Sequence, residues 1–145
     1  MRKLTEFKFL GQLLSDSDLK AANGTNYDTE FMDLRKYDTF SLHLNTDVTG
    51  AAAAGVASLK VLVFDDNKVS FKTYNLLTAI DTTADRTEHV NWSKYFAAAK
   101  TGNGTIGTQV DQLRVGLGWV KFRLTVDTQS DAATSNVADL FLLAS

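Results

Sequence analysis

The stretch WVKFRLTVD at 119–127 constrains the fold more than any other part of the chain. Val120, Phe122, Leu124 and Val126 recur at every second position, and Trp119, Lys121, Arg123, Thr125 and Asp127 fill the places between. Successive side chains point to opposite sides only in extended backbone, so this period predicts a β-strand with one apolar face and one polar face. Such a strand is stable only when neighbours pair with it and a second layer covers its apolar side.

The same texture recurs along the chain. In TFSLHLNTDV (39–48), Phe40, Leu42 and Leu44 point one way and Ser41, His43 and Asn45 the other. In ASLKVLVF (57–64), Leu59, Val61 and Val63 share a face, while Leu62 and Phe64 make the opposite face apolar as well. Asp65-Asp66-Asn67 then predicts a turn of three residues, with Val69–Tyr74 returning antiparallel as a hairpin. After it come Leu76, Leu77 and Ile80, then a polar run at 81–85. TEHVNWSKYF (87–96) reads as a strand with Val90 and Trp92 on one face. In TIGTQVDQLRV (105–115), the parity changes between Val110 and Leu113, which predicts a bulge or break. The last strand, 137–143, sets Ala138, Leu140 and Leu142 on one face and Val137, Phe141 and Leu143 on the other.

Gly, Asn, Asp and Thr punctuate these runs at Asn23-Gly24, 49–55, 97–104 and 128–136, where turns and loops are expected. Residues 1–22 fit two readings. Phe7, Phe9 and Leu13 alternate as in a strand, whereas Leu4, Phe7, Leu10 and Leu14 fit one helical face. Six to eight short strands with few helical runs between them predict an all-β protein, an antiparallel β-sandwich of which a jelly roll is one form, or a small barrel. Residues 36–145 are expected to form that domain. Residues 1–35 are expected to be an N-terminal arm or extension, with a strand or short helix in it.

Composition narrows the function classes. The 145 residues carry a net charge of −2 and contain neither cysteine nor proline. Without cysteine there is no disulfide, zinc-thiolate site or thiol nucleophile. A weakly acidic chain gains no counterion-release term on an anionic polymer, so direct nucleic-acid binding is not expected; Lys121 and Arg123 are too few to act alone. The first residues show no targeting pattern, because Glu6, Lys8 and Gln12 interrupt the apolar run. No apolar stretch approaches the 18 residues of a membrane span, and no membrane partner is expected.

Candidate chemistry is sparse. His43 and His89 are the only histidines; a metal site or general base would need carboxylates such as Asp47, Asp85 or Glu88 beside them. No serine lies in a GxSxG frame. Asp65-Asp66-Asn67, and Asp81 with Asp85, carry oxygen ligands without EF-hand spacing and read as turn formers. An acidic pair for glycoside hydrolysis, such as Asp28 with Glu30, would need a set separation and a cleft. Gly102-Asn103-Gly104 and Gly116-Leu117-Gly118 lack the phosphate-loop continuation, and the second pair suits a tight entry to the strand at Trp119. Trp92, Tyr95 and Phe96, with Tyr27, Phe31 and Tyr37 upstream, suit a core, a subunit interface or a stacking platform. Three Asn-x-Ser/Thr triplets, at Asn23, Asn91 and Asn103, match the glycosylation pattern. No catalytic, cofactor or metal residue is therefore expected.

The order DTFSLHLNTDVTG (38–50), SLKVLVFDD (58–66), Trp119 with VKFRLTV (120–126), a Thr/Ser/Asp loop and a closing apolar strand resembles small tailed-phage virion proteins of the β-sandwich or jelly-roll type. These are head decoration and minor capsid proteins, and the likeness spans roughly residues 37–143. It implies a non-enzymatic bacteriophage structural protein that self-associates as a homo-oligomer, binds a capsid or other virion component, and resides in the virion. The expected interface residues are Phe7, Phe9, Leu62, Phe64, Trp92, Tyr95, Phe96, Trp119 and Phe141. The doubly apolar strands 57–64 and 137–143 suit an outer face covered by a subunit, or by a third layer from the N-terminal segment. A second class is a carbohydrate- or receptor-binding β-sandwich such as a spike or fibre head, with a glycan as partner. An enzyme would require His43 or His89 to meet a carboxylate and a nucleophile in a cleft.

Overall fold

A computed structural model describes residues 8–93, 99–107 and 118–145. The described strands are β1 (Lys8–Asp18), β2 (Asn26–Asp28), β3 (Met32–Asp33), β4 (Thr39–Thr49), β5 (Val56–Phe64), β6 (Ser70–Asp81), β7 (Arg86–Ser93), β8 (Ala99–Thr101), β9 (Thr105–Ile106), β10 (Trp119–Thr128) and β11 (Ser135–Ala144). They form two antiparallel sheets, ordered β1-β11-β4-β7-β8 and β2-β10-β5-β6-β9, with β3 also paired to β10. We call them the first and second sheet. The all-antiparallel, two-sheet architecture agrees with the periodicity of the sequence, and neither sheet closes into a barrel.

The alternation sets the burial. Val120, Phe122, Leu124 and Val126 of β10 lie in one core with Phe40, Leu42 and Leu44 of β4 and with Leu140 and Leu142 of β11. Trp92 of β7 meets Phe122 of β10 edge to face, with ring centres 6.1 Å apart, so the inward faces of the two sheets touch there. Each such side chain contributes about 1.5–3 kcal/mol by leaving water.

Several elements differ from the expectation. Residues 8–18 form a strand along the edge of the first sheet, antiparallel to β11, rather than a helix. Residues 26–28 and 32–33 pair with β10 at the edge of the second sheet. The part of the expected arm within the described residues thus lies in both sheets, because Leu10, Leu13, Leu14, Tyr27 and Met32 pack against the common core. The turn after β5 is longer than three residues. The Asp65 N–H donates to the Val69 carbonyl, Lys68 sits at φ 62°, and pairing resumes at Phe64↔Ser70. β6 then continues through Leu76, Leu77 and Ile80. The register skips Leu76 between Lys60↔Asn75 and Leu59↔Leu77, so a bulge buries two consecutive leucines that strict alternation would split. Residues 99–101, expected as loop, pair with β7 as a short edge strand. The parity change expected between Val110 and Leu113 lies outside the described residues, as do Gly116 and Leu117. Gly118 is described: a Cβ there would stand 2.3 Å from the Phe64 carbonyl oxygen, so only glycine admits the close approach. Among the described residues, no helix is long and apolar enough to cross a membrane.

Candidate functional site

Pairing register decides which side chains share the outer faces. On the first sheet, Phe141, His43, His89 and Thr101 face one another in a row across β11, β4, β7 and β8. Leu143, Ser41 and Asn91 form the row on one side of it, and Asp139, Asn45 and Thr87 the row on the other. Phe9 of β1 is 58% exposed and rests against Phe141, ring centres 6.3 Å apart. Phe9, His43, Asn45, Thr87, Phe141 and Leu143 line an open groove of about 440 Å³.

The two histidines of the sequence are thus direct cross-strand neighbours, with ring centres 4.9 Å apart and a tilt of 36°. Burial lowers the His43 pKa, and the neighbouring His89 lowers it further, so both effects favour the neutral imidazole. The Ser41 Oγ lies 2.8 Å from His43 Nε2 and donates its single proton to Asn91 Oδ1 at 2.5 Å. The Ser41–His43 hydrogen bond therefore needs the proton on Nε2. This polarity is the reverse of the one by which a histidine activates a serine nucleophile.

On the second sheet, Phe31, from the link between β2 and β3, folds over the outer face. Its ring meets Phe64 edge to face at 5.0 Å and Trp119 at 6.4 Å. Lys68 stacks its ammonium over Trp119 at 4.6 Å and over Phe31 at 5.0 Å, and Lys121 stands 4.2 Å from the Phe31 ring centre. Beside this cluster, Arg35 forks onto Asp33 and reaches Asp66 at 2.8 Å, which holds the Asp33 carboxyl down to about 2. Farther along, Arg123 grips Asp28 through Nε at 2.6 Å and Nη2 at 2.8 Å.

The expected interface residues divide accordingly. Phe9 and Phe141 meet on the first sheet, and Phe64 and Trp119 meet through Phe31 on the second. Leu62 points outward but is only 8% exposed. Trp92 corrects the expectation: its parity on β7 turns it inward, where it stacks on Phe40 at 5.4 Å and is 3% exposed. Phe7, Tyr95 and Phe96 lie outside the described residues. The place of Phe31 over Phe64 and Trp119 has no periodic signal in the sequence, because it sits in an irregular link.

The other candidates are committed within the fold. Asp65 Oδ1 accepts the N–H groups of Asn67 and Val69, Asp81 accepts the Thr83 N–H and pairs with Arg86, and Asp85 accepts the Val48 N–H. Asp28 of the acidic pair is taken by Arg123. The Gly102-Asn103-Gly104 turn does receive a carboxyl group, but an internal one. Glu88, fully buried, accepts the Asn103 N–H at 2.8 Å and the Gly104 N–H at 3.2 Å. The described residues contain no cluster of three or more His, Cys, Asp or Glu side chains able to hold a metal.

Neither the protein-family models nor the curated proteins include a match to this chain.

Proposed function

We propose that the chain is a structural protein of the bacteriophage virion, a jelly-roll β-sandwich that self-associates and binds a capsid or another virion component without catalysing a reaction. What carries this reading is the strand order. Set aside β8, β9 and the short β3, and the sheets read β1-β11-β4-β7 and β2-β10-β5-β6. Eight antiparallel strands in two sheets of this interleaved order are the pattern of the jelly roll, which recurs in viral capsid and lectin domains. The step from fold to role is an analogy at the level of the fold. The outer faces add independent support. Phe9 with Phe141 and Leu143 on one sheet, and Phe31 with Phe64 and Trp119 on the other, present apolar surface of the composition found in subunit interfaces. Under this reading residues 8–33 belong to the sandwich.

The test is light scattering of the purified chain followed by co-sedimentation with assembled capsids. Oligomers that attach to the shell are expected. A monomer with no affinity for capsids would overturn the proposal.

A second reading is a receptor- or glycan-binding module. It draws on the half-buried Trp119 and Phe31 beside Asp33, Asp66 and Lys68, since aromatic rings flanked by polar groups at a sheet rim suit sugar stacking. Glycan-array binding lost in Trp119→Ala would favour it over capsid attachment.

A further inference from the structure

The chain has only two histidines, 46 positions apart by number (89 − 43), and the fold sets them directly opposite each other on an exposed sheet face. We propose that His43 and His89 form a two-imidazole site for a late first-row divalent ion such as Zn²⁺ or Ni²⁺.

The hydrogen bonds around His43 prepare it as a ligand. Ser41 spends its one proton on Asn91 Oδ1, so Ser41 Oγ accepts the proton of His43 Nε2. Nδ1 then carries the lone pair. A metal-binding histidine characteristically donates its other ring N–H to an oxygen that fixes tautomer and ring orientation. Ser41 supplies that oxygen, and it is itself buried and tied to the next strand through Asn91. Two nitrogens bonded to one ion at about 2.0–2.1 Å stand roughly 3–3.4 Å apart at square-planar to tetrahedral angles. Ring centres 4.9 Å apart place the two imidazoles within reach of one ion, and because Ser41 holds the His43 ring, the adjustment falls to His89. Imidazole without carboxylate selects zinc, nickel and copper over magnesium or calcium. Water from the open groove beside His43 completes the coordination shell. Asp139, in the flanking row, is engaged by the Asp16 N–H at 2.7 Å. No bond is made or broken in the protein on binding, and the ion replaces solvent at the two nitrogens.

The test is isothermal titration of the untagged full chain with Zn²⁺ and with Ni²⁺, with Ca²⁺ as the control ion. One equivalent of Zn²⁺ or Ni²⁺ is expected to bind in the micromolar range, and Ca²⁺ not at all. His43→Gln and His89→Gln should each weaken binding by tenfold or more, and Ser41→Ala, which touches no metal, by about tenfold through loss of orientation. Thermal unfolding of each variant without metal verifies that it is folded. In the proton spectrum, Ni²⁺ should broaden the two imidazoles before other resonances. Absence of binding, or equal affinity in the wild type and both histidine variants, would overturn the site.

Discussion

Single residues hold this fold at points where a backbone group and a side chain have no second choice. Glu88 is the clearest. Its carboxylate lies inside the protein and is satisfied by the Asn103 and Gly104 N–H groups, and the turn that offers them requires Gly102 at φ 111°. A Cβ at Gly102 would fall 1.7 Å from Glu88 Oε2. Gly102→Ala is therefore expected to destabilise the protein by about 2–3 kcal/mol, through strain at positive φ and displacement of the carboxylate. Glu88→Ala should cost a similar amount, about 1–3 kcal/mol, by leaving two N–H groups unpaired. Urea denaturation of both variants measures this, and an unchanged midpoint for Gly102→Ala would show that the turn does not depend on glycine. The Asp28–Arg123 pair makes a pH prediction. Its hydrogen bonds to Arg123 depress the Asp28 pKa in the folded state, against a partial counter-effect of burial. The pair's stabilisation is thus whole above the ordinary aspartate value of 3.8 and is lost as pH falls through the lower folded-state value. The side chains are 30% and 28% exposed, so screening limits the effect to about 1 kcal/mol. Asp28→Asn should lower stability at neutral pH and flatten the acid limb of a stability-versus-pH curve.

At the scale of elements, β10 organises the second sheet and β4 the first. Each is flanked on both sides; β10 holds Val120, Phe122, Leu124 and Val126 against the shared core, and β4 holds Phe40, Leu42 and Leu44. Phe122 sits where the sheets meet, under Trp92 and in the row with Val61. Phe122→Ala is expected to cost about 3–5 kcal/mol, whereas Phe9→Ala, on the exposed edge strand, should stay near 0.5 kcal/mol. Chemical denaturation of the two variants separates core from surface, and equal losses would contradict the assignment of faces. How much of this was legible differs by element. β4 and β10 follow from alternation alone, since a half-buried strand writes its two faces into the sequence, and β5 and β11 follow from short apolar runs bounded by turn residues. β6 does not: the bulge at Leu76 breaks the period, and only pairing with β5 reveals why two adjacent leucines are both buried. The edge strands β1 and β8 are short of signal because an edge contributes less burial per residue. At β1, three register shifts also scramble the alternation.

For the molecule as a whole, the outer faces pose the functional question. One carries Phe9, Phe141 and Leu143 around the histidine pair, and the other carries Phe31, Phe64 and Trp119 beneath two lysines. If the chain assembles through the first face, Phe9→Lys with Phe141→Lys should reduce the oligomer in light scattering without lowering the midpoint of unfolding of the monomer. Retention of the oligomer would direct attention to the second face, and Trp119→Ala with Phe31→Ala is then the pair of changes expected to act. The site candidates read from sequence fared unequally for the same physical reason. Aromatic content marks surface or core alike, and parity assigns a ring to one of them only when the strand is regular, as at Trp119 and Phe141. At Trp92 the parity was readable, with Val90 on the same face, yet the side of the strand that turns inward was fixed by packing against Phe40 and Phe122.

The sequence by itself determined the all-β class, the inward residues of the regular strands and the absence of any thiol chemistry, because these depend on residue type and on a period of two. Only the tertiary structure decided the order of strands in each sheet, the burial of Glu88 under the Gly102–Gly104 turn and the meeting of His43 with His89. Those are contacts between distant segments, set by register, and no local pattern in the chain carries register across a sheet. The same holds for WVKFRLTVD: its alternation announced a strand, and the fold supplied its neighbours, Lys60 and Leu62 on one side and Asp28 and Asp33 on the other.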